Sequence, residues 1–99
     1  MNKTGTLLDV PPDRPSLRSR LTAFKRKHGI LTHRATDYIP KDDSWLAVLP
    51  FDRDKGKTLF KIMSESCRLY DESGYCATGA GELSAVRRLC ELRGIVCEV

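Results

Sequence analysis

No stretch of this chain approaches the ~18 consecutive apolar residues that a membrane-spanning helix needs. The first fifteen residues hold one lysine and a single Leu7-Leu8 pair before Asp9 and the prolines, so the apolar centre of a secretory signal is missing too. Together these absences predict a cytoplasmic, reducing setting. There, Cys67, Cys76, Cys90 and Cys97 are expected as free thiols despite their even number. The cysteines are separated by eight, thirteen and six residues, which leaves no CxxC knuckle, and His28 and His33 lie on either side of Gly29 rather than on one helix face. That spacing predicts no metal site and no cofactor. Aromatic residues are only 7% of the chain, and Phe24, the one ring in its basic stretch, belongs to a core-facing stripe, which argues against base stacking there.

Several motifs fail for want of one residue. Lys55-Gly56-Lys57-Thr58 follows an apolar run and precedes a helical pattern, as a phosphate-binding loop does. The glycine that such a loop needs five positions earlier is replaced by Phe51, and Thr58 reads better as a helix cap. Gly79-Ala80-Gly81 has Ser84 where a dinucleotide fingerprint wants Gly or Ala, so a turn is the plainer reading. In Asp52-Arg53-Asp54 a glycine arrives one position early for an EF-hand, and Met63 stands where the bidentate Glu belongs. These carboxylates, like Asp42 and Asp43, are expected in solvated loops. No arrangement of nucleophile, base and oxyanion donors is legible, so the chain reads as non-enzymatic.

What is present suits one domain. Ninety-nine residues at 40% hydrophobic and 30% charged is the composition of a globular chain with room for a single core. Residues 1–15, with Gly5, Pro11, Pro12 and Pro15, read as a flexible arm, and residues 16–99 as a single α/β domain. Ser16 caps a first helix in which Leu17, Leu21 and Phe24 recur at helical spacing, with His28 one turn on and Gly29 ending it. Ile30 to Ala35 alternates as a strand, and Trp45 to Leu49 is a continuous apolar run of the kind found in a strand covered on both faces. From Lys57 to Glu72 the pattern is amphipathic and helical, with Leu59, Phe60, Ile62, Met63, Ser66, Cys67, Leu69 and Tyr70 on one half of the cylinder. A short strand at 75–78, a helix from Glu82 to Arg93 and a final strand at 95–99 complete the order α-β-β-α-(β)-α-β. The fold class is α+β or small α/β, with three helices on a small mixed sheet and the last helix as a crossover between parallel strands.

Charge is the strongest functional signal. The chain carries +4 overall, but residues 1–35 hold eight basic residues against two acidic ones, and the remainder holds nine against eleven. From Arg14 to Arg34 no acid occurs. Arg14, Arg18, Arg20, Lys25, Arg26, Lys27 and Arg34 form a candidate surface for an anionic partner, with nucleic acid the commonest. Five or so phosphate contacts predict a slope of log K on log salt of about −4 to −5. The alternative is a protein-interaction or inhibitor module, a phage- or plasmid-type accessory protein. Its basic helix would meet an acidic protein surface, with Tyr38, Ile39 and Trp45 adding apolar contact. A basic face that only aids solubility is the plainer explanation that either reading has to displace.

Overall fold

Residues 16–37 and 43–99 are described by a computed structural model. The arm, with Arg14, lies outside that set, as do Tyr38, Ile39 and Asp42.

Helix ends follow from local sequence. Helix α1 (Leu17–His28) begins where the Ser16 side chain accepts from the Ser19 amide, and stops at Gly29, whose φ of 72° suits a residue without Cβ. Helix α2 (Leu59–Ser73) is capped by Thr58, which accepts from the Lys61 amide. The last turns of α2 and of α3 (Glu82–Arg93) run into Gly74 and Gly94 in the same left-handed conformation.

Among the described residues three strands form one antiparallel sheet in the order β1-β2-β3: Leu31–Arg34, Trp45–Val48 and Cys76–Gly79. Leu31 pairs with Val48 and Arg34 with Trp45, while on the other side of β2 Trp45 pairs with Gly79 and Val48 with Cys76. Alternation along the strands divides the core in two. Leu46, Val48 and Cys76 face α2, where they bury Leu59, Ile62, Met63 and Tyr70. Ala47 and Ala77 face α1 and α3, against Leu21, Phe24, Ala85, Val86, Leu89 and Cys90. The sheet is therefore sandwiched, and β2 is covered on both faces as its apolar run implies.

The α3 side of the sheet is built from small residues. Ala47, Ala77 and Gly79 bring the helix so close that a Cβ on Gly79 would lie 2.5 Å from the Ala85 amide nitrogen. That approach explains a glycine which the sequence offers only as part of a turn.

The element order agrees with expectation through the last helix. Residues 95–99, however, form no strand, and the sheet is antiparallel throughout rather than mixed, so α3 is no parallel crossover. The alternation in this tail is real: Ile95, Cys97 and Val99 pack against the cluster of α1 and α3, while Val96 and Glu98 are exposed. Periodicity reports which side is buried and says nothing about whether a neighbouring strand is within reach. Two helical expectations also shift. Leu17 is 46% exposed, which leaves Leu21 and Phe24 as the anchors of α1. In α2 the buried stripe is narrower than half a cylinder. Phe60 is 62% exposed ahead of Ser66, and Ser66 leaves helical geometry at φ −141°, which breaks the phase, so that Cys67 and Leu69 stand exposed beyond it.

Candidate nucleic-acid interface

Two fully buried side chains hold α1 to the body, each contributing about 1.5–3 kcal/mol. A 12-residue helix has little stability of its own in water, so this anchoring is what gives its cations fixed positions. Their neighbours then separate the candidate residues into distinct groups.

Arg18 and Lys25 converge on Glu82. The Arg18 guanidinium donates to Glu82 at 2.9 Å, Lys25 Nζ donates to the second carboxylate oxygen, and the Thr32 hydroxyl donates to that oxygen at 2.6 Å. Lys25 also donates to Thr32 at 2.8 Å. Glu82 sits in the first turn of α3, where a negative charge meets the unpaired amides favourably. Burial pushes its carboxyl upward, but Lys25, Thr32 and Arg18 outweigh that effect and hold it below its ordinary 4.5. Glu82 thus ties α1, β1 and α3 together and withdraws Lys25 from the basic face. Arg18, with a side chain 71% exposed, is only partly withdrawn.

Lys27 lies 3.6 Å from Glu98, with both side chains well exposed, a pairing worth at most about 1 kcal/mol and weakened by salt. Arg20 and Arg26 are exposed, and no carboxylate among the described residues pairs with either. Arg34 projects from the end of β1, its guanidinium 6.0 Å from the ring of its cross-strand partner Trp45. Nothing is described for Arg14.

The loop between β2 and α2 adds a wall that the sequence does not announce. Asp54, expected to be solvated, is 2% exposed. It accepts from the Tyr70 hydroxyl at 2.5 Å and from Lys57 Nζ at 2.8 Å, while Tyr70 accepts from the Phe51 amide at 3.0 Å. Hydrogen bonds from Lys57 and then Tyr70 hold the Asp54 carboxyl below its ordinary 3.8, and Asp54 with Glu65 raises Lys57 above 10.5. The Phe51 ring packs on Tyr70 and Tyr75 with centroids 4.2 and 4.8 Å apart. Loop 50–57 is consequently a fixed structure rather than a solvated excursion.

Between this loop and the last turn of α1 lies an open groove of about 780 Å³. Arg26, Lys27 and His28 form one rim, and Lys55, Gly56 and Lys57 form the other, with Asp52 the one carboxylate among the lining residues. Lys55 pairs with Asp52 at 3.0 Å in full solvent, and Lys57 is held by Asp54 and Glu65. Arg26, Lys27 and Lys55 are therefore the cations best placed to meet an incoming anion. Lys55 and Lys57 appear in the sequence only as part of a failed nucleotide motif, and no local signal links them to α1.

The thiols carry little chemistry. All four are unpaired. Burial pushes Cys76 up to about 12 and Cys90 up to about 11, and burial beside Asp71 raises Cys67, so these three stay protonated at neutral pH. The His28 ring packs on Phe24, with centroids 4.4 Å apart. Among the described residues no three of His, Cys, Asp and Glu are grouped as metal ligands, and no helix is long and apolar enough to cross a membrane. Comparison with known proteins returns no matching family model, no matching curated protein and no matching solved structure.

Proposed function

We propose that the protein is a non-enzymatic binding module of the cytoplasm that engages nucleic acid, or a nucleic-acid-bound complex, through its phosphates. Arg20, Arg26 and Lys27 of α1 are the principal contacts. One observation carries this reading. Arg20 and Arg26 stand exposed, with no described carboxylate paired to them, on a helix held rigid by Leu21 and Phe24. Arginine presents a planar fork of donors to phosphate oxygens, which suits the role.

The salt dependence follows from the number of cations available. With Lys25 withdrawn and Arg18 shared, the contacts reduce to about three or four. The slope of log K on log salt against a labelled duplex is then expected at about −3 to −4, and affinity drops roughly a hundred-fold between about 50 and 200 mM salt. Affinity that stays flat over that interval rules out a phosphate-driven mode. The double variant Arg26→Glu/Lys27→Glu weakens binding to all sequences alike, since phosphate contacts carry no sequence information.

Glu82→Gln provides a test in the opposite direction. Removing the carboxylate frees Arg18 and Lys25, so the variant is expected to bind duplex more tightly, with a slope steeper by ~0.9 for each cation recruited. Its fold is weakened at the same time. Unchanged affinity in a folded Glu82→Gln protein would count against the basic face as the contact surface.

The exposed Leu17 beside Arg18 favours a second reading, an acidic protein surface with an apolar spot. Capture of partners with and without nuclease separates the two. Loss on nuclease treatment supports direct nucleic-acid binding. Retention, abolished by reversing the α1 charges, supports the protein interface.

A further inference from the structure

We infer that the groove between α1 and loop 50–57 is a subsite for an unpaired nucleotide of a single strand, an assignment that rests on the nucleic-acid reading above. A phosphate backbone needs cations alone, whereas this groove has two different surfaces. Its rims carry Arg26 and Lys27 on one side and Lys55, in a solvated pair with Asp52, on the other, and its apolar lining is Leu31, Leu49, Pro50, Phe51 and Tyr75. These apolar residues are half-buried, so part of their surface is open to the groove. Cations at the edge beside an apolar surface match the two halves of a nucleotide, phosphate on the rim and base against the apolar lining.

Size points the same way. A volume of about 780 Å³ falls within the ~300–1,000 Å³ of sites that enclose small organic ligands. Bases stacked inside a duplex cannot reach such a lining, while a splayed base can. Lys27 also lines a second, smaller cavity of about 240 Å³ together with Arg20, Phe24 and Glu98, whose carboxylate lies 3.6 Å from the Lys27 ammonium.

The rings limit what the lining reads. Phe51 already packs on Tyr70 and Tyr75, and the Arg93 guanidinium covers Tyr75 at 4.0 Å. These contacts occupy part of the ring surface beside the groove. Recognition is by apolar contact and phosphate charge, and base preference is weak.

The test compares a short oligothymidylate with a blunt duplex, using the full chain, amide chemical shifts and measured affinities. Oligothymidylate is expected to move amides on both walls, within 26–29 and 51–57, whereas the duplex moves those of α1. Lys55→Glu, at an exposed position that leaves the packing intact, is expected to weaken oligothymidylate about tenfold, the equivalent of ~1.4 kcal/mol, and the duplex less than about twofold. Arg20→Glu weakens both. Duplex binding with the loop amides silent towards oligothymidylate overturns the subsite and leaves the phosphate reading standing. The subsite is equally overturned if Lys55→Glu weakens the duplex as much as the single strand. If neither probe binds at low salt, both readings fall.

Discussion

Replacing Gly79 by alanine is expected to lower the stability of the fold by about 3 kcal/mol or more, at the upper end of what an extra methylene costs in a packed core. The added Cβ would lie 2.5 Å from the Ala85 amide nitrogen and 2.8 Å from the Ser84 carbonyl carbon and Cβ. Two of these three are backbone atoms in the first turns of α3, so no flexible side-chain end can swing aside. Relief requires α3 to lift from the sheet, and Val86 and Leu89, both fully buried, would lose contact as it did so. Thermal denaturation is expected to show a fall of about 12–24 °C, at about 4–8 °C per kcal/mol for a domain of this size. Gly81→Ala is the matched control. Nothing lies within 4 Å of its added Cβ, so only the ordinary penalty of alanine for glycine at a helix N-cap, about 1 kcal/mol or less, is expected there, and a loss as large as that of Gly79→Ala would contradict the packing argument.

Tyr70→Phe removes one oxygen and is expected to cost about 1–3 kcal/mol, because two groups lose a partner at once. The Asp54 carboxylate, almost wholly out of solvent, is left with Lys57 and, at 3.6 Å, Arg53, and the Phe51 amide is left without an acceptor. Asp52→Asn, at a fully solvated carboxylate in the same loop, is the control expected to change little. The network also sets a pH dependence. Asp54 and Glu82 both have folded-state values depressed below 3.8 and 4.5, so the stability they supply is complete above those values. It is lost as pH falls through the lower folded-state values. Lys57 and Tyr70 work at the other extreme. Lys57 is raised above 10.5 by its bonds to Asp54 and Glu65, and burial followed by Asp54 raises Tyr70 above 10.0. Their contribution is present below those values and lost as pH rises through the higher folded-state ones. Urea midpoints should therefore hold from neutral pH down to about 5 and fall steeply below about 4. In Tyr70→Phe the acid limb should be shallower, because the hydroxyl that helped depress Asp54 is gone. Equal acid limbs in the two proteins would show that Tyr70 does not hold Asp54.

These two sites mark where sequence reading succeeds and where it stops. The α1 and α2 boundaries were legible because Ser16, Thr58, Gly29 and Gly74 act on amides and carbonyls within four residues of themselves. The burial of Asp54 was not legible, because its partner Tyr70 lies sixteen residues away on the far side of a helix cap. A carboxylate between an arginine and a lysine reads as solvated until a hydroxyl is found to enclose it. The basic face shows both sides of this limit. Its run of cations was plain, but the withdrawal of Lys25 depended on Glu82, fifty-seven residues on. Lys55 lines the same groove as Arg26 and Lys27 only because loop 50–57 folds across from the last turn of α1.

Sequence alone thus determined a mixed helix-and-strand domain, the three helices, the doubly covered β2, and the concentration of positive charge in the first third of the chain. Each of these is a matter of periodicity or of neighbours within one helical turn. The three-dimensional fold decided the antiparallel order of the sheet, the unpaired tail at 95–99, the close approach at Gly79, and which cations remain free to meet an anion. All of these depend on groups distant along the chain becoming neighbours, and pairwise distance across a core leaves no trace in a linear pattern of residues.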